Sequence, residues 1–343
     1  MRADRQLVAE HLTAQGLAGE PLRRPVDVAE RLLAVQGQDP RGFRLAVRAR
    51  TAGLAAADVD RALSEDRALV VTWLNRGTLH LVRSEDYPLL QALTTPPLRT
   101  SCTRRLRNEG VPEKAAERAL ATIERTLADE GPLSGKDLKE RLAAEVPVAG
   151  QAFIHLMFLA AVRGLIVRGP MLGKQHAYVL VRDWLGTPKP VDRDVALAEL
   201  ARRYLVGHGP ANDRDLARWA GLPLRDARAG LAAIAPELVE REDGLVDLAK
   251  RPPAAPLPPP RLLGAFDPLL LGWTSREEIV GPHKLLVTIN GIFRPFALVD
   301  GRAVATWKLA GGKLTIRHLS KVTKKAAAAL DADAAEVVGF LDA

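Results

Sequence analysis

An eight-residue pattern occurs twice in this chain. Gly131-Pro132-Leu133-Ser134-Gly135-Lys136-Asp137-Leu138 and Gly209-Pro210-Ala211-Asn212-Asp213-Arg214-Asp215-Leu216 share the form G-P-x-x-x-(K/R)-D-L. An amphipathic stretch precedes each copy. Ala116, Leu120, Ile123 and Leu127 fall at helical spacing before the first, and Leu197, Leu200, Ala201 and Leu205 before the second. The two copies also share the order of elements beyond the pattern. A short helix is predicted at 136–144 and 214–220, a second at 151–162 and 224–234, and a strand-like apolar segment at 165–167 and 238–239. The first copy then passes through a loop, 169–175, to a return strand at 178–181. The second has a shorter wing that turns at Asp243-Gly244. Three helices and a two-stranded wing make the order of a winged helix-turn-helix.

The first part of the chain fits the same order. Leu7, Val8, His11 and Leu12 form one helical face, Val28, Leu32 and Val35 the next; 43–50 gives a third helix and 78–82 a strand. Between the first and second modules, 99–107 holds four arginines and no acid. The clearest boundary is 251–260, where six of ten residues are proline; that segment can be neither helix nor central strand and should be a stiff extended spacer. Beyond it, 285–289 alternates like a strand, Asp300-Gly301 and Gly311-Gly312 are hairpin turns, and 325–341 reads as a closing helix. From Ile279 to Leu330 there are nine basic residues and one acid, Asp300. The expected architecture is therefore α+β: winged helices at 1–95, 96–190 and 191–250, a linker at 251–260, and a small basic β domain at 261–343.

Composition narrows the function classes. At roughly 100–200 residues per domain, 343 residues suit two to three domains or several small ones. The 47% hydrophobic and 26% charged content excludes a disordered or fibrous chain. A net charge of +8 favours an anionic partner, nucleic acid first. The single cysteine, Cys102, excludes an internal disulfide framework and a thiolate zinc site, and suits a reducing cytoplasm. The charged N-terminus is followed by no apolar run, so no signal peptide is expected. The long uncharged run 146–162 contains Gln151 and His155 and reads as a buried helix of a soluble protein. No metal is expected, because the seven histidines are scattered and H-E-x-x-H is absent. The run 169–174, G-P-M-L-G-K, is one residue short of a phosphate loop and lacks its Ser/Thr, and no G-x-S-x-G occurs. No cofactor is expected.

Four short segments could carry chemistry. Gln36-Gly37-Gln38 comes after Val35, the last periodic apolar position of its helix, with Gly37 as the expected stop. In an extended backbone beyond that stop both amides would project the same way. A polar helix terminus is the plainer reading of the pair. Arg41, Arg44 and Arg48, at i, i+3 and i+7, would share a helix face as a phosphate-binding stripe, or simply be a solvated surface. Arg76-Gly77-Thr78-Leu79-His80 opens a strand with Thr78 and His80 on one face, either pointing into a site or half-buried and satisfied. The run 266–273, F-D-P-L-L-L-G-W, with Arg276, offers Asp267 as an arginine's partner or as a cleft residue.

Taken in order, these segments resemble the AlkZ/YcaQ-type winged-helix DNA glycosylases: Q-G-Q at 36–38, W-L-N-R-G-T-L-H-L-V at 73–82, G-P-A-N-D-R-D-L-A-R-W-A-G-L-P at 209–223 and F-D-P-L-L-L-G-W at 266–273 with Arg276. The resemblance covers nearly the whole chain. It implies three tandem winged helices and a C-terminal β-barrel-like domain, with Gln36 and Gln38 as the catalytic pair of the AlkZ-like branch. Gly37 departs from the larger apolar residue often found between them. It further implies excision of N7-alkylated purines from duplex DNA, with interstrand crosslinks as further substrates of some members. On this reading Arg41, Arg44, Arg48, Arg76, Thr78, His80, Lys174 and Arg276 contact DNA. The two glutamines orient a water, no lyase step ensues, and the protein is a monomer in the cytoplasm, associated with the nucleoid. A non-catalytic regulator built of tandem winged helices is the competing reading.

Overall fold

The computed structural model describes residues 2–173, 175–288 and 290–342. Lys174, an expected DNA contact, and Ile289, the end of an expected strand, lie outside the described residues. The chain divides into two compact units, Arg61–Arg193 and a discontinuous one made of Met1–Asp60 with Asp194–Ala343. Helices come in runs between antiparallel hairpins, an α+β composition as expected.

In the Arg61–Arg193 unit, strands Leu69–Leu74 and Thr78–Arg83 form a hairpin with Leu74 opposite Thr78 and Thr72 opposite His80. Helices Pro96–Asn108, Glu113–Glu130, Gly135–Ala143 and Ala152–Val162 come next, then the hairpin Ile166–Leu172/Gln175–Leu180. Helix Ala152–Val162 is apolar on nearly every face because it is the centre of this core, surrounded by Cys102, Leu106, Ile123, Leu138 and Ile166. Among the described residues no helix is long and apolar enough to cross a membrane.

The repeated motif has the same structural job in both places. Leu133 exchanges backbone hydrogen bonds with Tyr178 (3.2 and 2.8 Å), adding a rung to the hairpin. Ser134 then caps the next helix by accepting from Asp137 N, and Asp137 is bonded back to the Ser134 hydroxyl. In the other unit Ala211 exchanges bonds with Val246 (3.0 and 2.9 Å), Asn212 accepts from Arg214 N and Asp215 N, and Asp215 accepts from Asn212 N. Gly-Pro thus ends one helix, the next residue joins the hairpin, and the cap with its acid three residues on starts the next helix. The order of helices Arg193–His208, Asp213–Ala220 and Leu224–Ala233 and strands Leu238–Glu240 and Val246–Leu248 matches the expectation.

Two expectations for the C-terminal part are corrected. Among the described residues its four strands run in the order Lys313–His318, Arg302–Ala310, Phe296–Val299, Arg261–Leu263, and the outer two are not paired, so the sheet is open and no closed barrel is found. Four strands of three to nine residues are too few to bend round on themselves. Instead helix Lys324–Asp342 covers the sheet at Arg261–Leu263 and also packs on helix Pro40–Arg48. The expected strand at 285–289 is a 3-10 turn, Lys284–Leu286, with a single bridge from Val287 to Phe293 after it. The proline segment 251–260 has no helix or strand, but it is docked, with Ala255 N donating to Thr13 Oγ1 at 2.9 Å.

Candidate active site and nucleic-acid interface

Helix Pro25–Leu32 ends earlier than its periodicity predicts. The turn is made at Leu33 (φ 61°), and Val35–Gln36 are already strand; Gly37 has no left-handed φ. Leu32 and Leu33 are both fully buried, and the turn between helix and strand is closed by Ala34 N donating to Leu32 O at 2.7 Å. With φ 61° and ψ −41°, Leu33 holds the strained conformation of a positive-φ γ-turn, at a cost of about 1–3 kcal/mol that burial of its side chain, about 1.5–3 kcal/mol, offsets. The extended backbone then sets Gln36 inward, 6% exposed, and Gln38 at the surface. Their side chains do converge: Gln36 Nε2 donates to Gln38 Oε1 at 2.5 Å.

The pair is anchored on its C-terminal side. Asp39 accepts from Arg41 N (2.9 Å) and Gly42 N (3.2 Å), starting helix Pro40–Arg48. Gly42 lets this helix lie against the chain at 264–265, since a Cβ there would stand 2.4 Å from Ala265 O. Immediately beyond, Phe266 (φ 57°) turns Asp267 into a fully buried site. Asp267 takes a two-point bond from Arg50, equally buried, at 2.9 and 3.0 Å. Arg50 also donates to Gln15 Oε1 and to the carbonyls of Gln15 and Ala46, and Gln15 Nε2 donates to Gly207 O at 2.9 Å. Of the two readings of Asp267, the arginine's partner is the observed one.

The three arginines after the pair do not form a stripe. Arg41 is exposed, its Nη1 3.4 Å from Leu309 O. Arg44 is 8% exposed, bonded to Asp60 and to Pro40 O (2.7 Å). Arg48 binds Asp333 at 2.6 Å and Glu336 at 3.0 Å. Sequence spacing placed them on one helix face, but carboxylates from distant segments draw two of the guanidiniums apart. Arg276 is half-buried, its Nε donating to Leu270 O at 2.5 Å and its guanidinium 5.2 Å from the centre of the Phe293 ring. Burial first, then Arg218, lowers its pKa.

In the Arg61–Arg193 unit, Thr78 and His80 share a strand face as expected. His80 is 3% exposed with Nδ1 2.9 Å from Thr78 O. Burial and, secondarily, Arg76 push its pKa down to about 3, so the imidazole is neutral at physiological pH. Arg76 sits at φ 50° in the turn Asn75–Gly77, and Thr78 Oγ1 lies 3.4 Å from Asn75 O. Asn75 is wholly buried, and among the described residues neither of its amide atoms, nor the Thr72 hydroxyl, has a partner. Trp73 meets Phe158 edge-on at 5.9 Å, which seats this hairpin on helix Ala152–Val162.

The basic C-terminal domain expected from the sequence gathers three of its charges on one surface. Strands Arg302–Ala310 and Lys313–His318 pair Thr306 with Arg317, Lys308 with Thr315 and Ala310 with Lys313, which puts Lys308, Lys313 and Arg317 on one exposed face of the ribbon with two threonines. The alternate face carries Trp307, Leu309, Leu314 and Ile316. The period-two signal was legible in T-W-K-L and K-L-T-I-R; only the register joins the two. Among the described residues no cluster of His, Cys, Asp and Glu is suited to a metal ion.

A family model for AlkZ-like DNA glycosylases matches residues 29–340. The chain belongs to the AlkZ-like DNA glycosylase family. This AlkZ-like chain is 29% identical over 362 residues to the interstrand DNA cross-link repair glycosylase of Streptomyces sahachiroi, a match that spans 97% of this chain and 95% of that protein. The solved structure of Streptomyces sahachiroi DNA glycosylase AlkZ has the same fold, with a TM-score of 0.80 at 25% identity, covering 98% of this chain and 96% of that one. The AlkZ-like match takes in the glutamine pair, the hairpin with Thr78 and His80, and the segment from Phe266 to Arg276.

Proposed function

We propose that this DNA glycosylase hydrolyses the N-glycosidic bond of N7-alkylated purines in duplex DNA, with Gln36 and Gln38 orienting the attacking water. The observation that carries the reading is the convergence of the two amides, Gln36 Nε2 on Gln38 Oε1, with one member buried and the other at the surface. Such a pair offers donors and acceptors without charge. Neutral groups suffice for this substrate. Alkylation at N7 makes the base cationic and already a good leaving group, so strong general-acid help is unnecessary. The remaining need is a water held behind C1′ and stabilisation of a sugar with oxocarbenium character. Release of an uncharged, unactivated base is not expected. The crosslink named for the Streptomyces relative is a second substrate class to test.

On this reading Arg41 and the exposed ribbon face with Lys308, Lys313 and Arg317 hold phosphates. Arg44 and Arg48 serve by fixing the helix after the pair. Thr78, neutral His80, Arg76 and Arg276 remain proposed DNA contacts. The chain works as a monomer of 37.1 kDa in the cytoplasm, on nucleoid DNA, through three tandem winged helices, and leaves an abasic site without cutting the strand.

The test is base release from a duplex carrying N7-methylguanine, comparing wild type with Gln36→Ala/Gln38→Ala. Release by the wild type and its loss in the variant are expected. Equal release by both would move the active site elsewhere, and no release by either, with binding intact, would favour a non-catalytic DNA binder. A protein–DNA adduct trapped by borohydride would overturn the hydrolytic, lyase-free mechanism.

A further inference from the structure

In the Arg61–Arg193 unit, Arg83, Arg125, Arg141, Arg163 and Arg182 each meet a carboxylate at 3.1 Å or less. Arg104, Arg105 and Arg107 do not. They stand exposed on helix Pro96–Asn108, and their side chains make no hydrogen bond or ion pair to any described residue. The helix contains no acid. Its inner side is fixed by Cys102 and Leu106, both buried, against helix Ala152–Val162, with Cys102 Sγ 3.3 Å from His155 O. That packing turns Arg104 and Arg107, three residues apart, outward together with Thr100. Arg105 flanks His155, whose pKa is lowered by burial and then by this guanidinium.

Three arginines within one turn repel one another, whereas the five named arginines elsewhere on this unit each find a carboxylate. The cluster is therefore mismatched with its own protein and complementary to a dense anion. Duplex DNA presents a charge about every 1.7 Å along its axis, and the planar guanidinium matches phosphate with two parallel bonds. Thr100 adds a hydroxyl of the kind that also binds backbone phosphate. We propose that this face of helix Pro96–Asn108 is a phosphate-binding surface for duplex DNA, separate from the glutamine pair and from the ribbon of Lys308, Lys313 and Arg317. It rests on the reading of the chain as a DNA glycosylase and names a part of the protein that grips the duplex.

The test is the salt dependence of binding to an undamaged fluorescent duplex, monitored by anisotropy. Each phosphate neutralised contributes about 0.9 to the slope of log K against log salt. Arg104→Gln/Arg105→Gln/Arg107→Gln should reduce the magnitude of that slope by about 2–3. The control, Arg125→Gln/Arg141→Gln/Arg182→Gln, removes the same charge from paired positions and should leave the slope unchanged. Thermal melts of both variants establish that they are folded. An unchanged slope in the first variant, an equal fall in both, or no binding of the duplex by the wild type would overturn the proposal. Base release by the wild type is scored separately: if it fails while the slopes separate as expected, the glycosylase reading is lost and the phosphate surface stands.

Discussion

At the scale of single residues, the most consequential group is one the chemistry never touches. Asp267 and Arg50, both without solvent exposure, join the segment after Gly264 to the helix after the glutamine pair. Truncating the acid would leave a buried guanidinium with only Gln15 and backbone carbonyls as partners. Asp267→Ala should therefore lose about 3–5 kcal/mol in a denaturant melt, whereas Arg50→Met/Asp267→Leu should recover most of that loss, because it removes both charges at once. A loss below about 1 kcal/mol in the single variant would show that solvent reaches the guanidinium. The sequence offered an arginine as one partner for Asp267. It could not say which, since the two stand 217 residues apart.

At the scale of elements, the glycine at 42 decides how closely helix Pro40–Arg48 approaches the chain at 264–265. A Cβ there meets a backbone carbonyl at 2.4 Å, so backbone has to move. Gly42→Ala should cost about 1–3 kcal/mol and also slow base release, because Asp39 and the glutamine pair lead directly into this helix. Gly339, inside helix Lys324–Asp342, has nothing within 4 Å of a Cβ. Gly339→Ala should stabilise the protein by up to about 1 kcal/mol and leave the rate alone. Melting temperature and single-turnover rate, measured on both variants, separate the two cases. The repeat and the order of elements around it were legible at this scale, because the pattern is written within eight residues. The stop at Leu33 was not. No glycine or proline marks it, and the apolar periodicity runs past it to Val35.

For the molecule as a whole, buried histidines set the acid limit. Burial lowers the pKa of His11 to about 4 and of His208 and His80 to about 3, so all three are neutral in the folded protein. In the unfolded chain each titrates near 6.5. Below about pH 6.5 the unfolded state binds protons that the folded state refuses, and stability falls with pH until the folded pKa values are reached. Each such histidine contributes a slope of about 1.4 kcal/mol per pH unit in that window. Urea melts at pH 7 and pH 5 should show this loss directly. Equal stability at the two values would mean that none of the three rings resists protonation in the fold.

The local and periodic features were readable in advance: most helices, the hairpin after each copy of the repeat, the turns at Asp300-Gly301 and Gly311-Gly312, and the shared direction of the two glutamine amides. They depend on residues within a few positions of one another, where spacing fixes which side chains share a face. The fate of Arg44 and Arg48, the openness of the C-terminal sheet, the docking of the proline segment and the assembly of Lys308, Lys313 and Arg317 were not readable. Each depends on partners brought from far along the chain, Asp333 to Arg48 and Ala255 to Thr13 among them. A guanidinium placed by helical spacing goes where the nearest carboxylate is, and only tertiary structure says where that carboxylate lies.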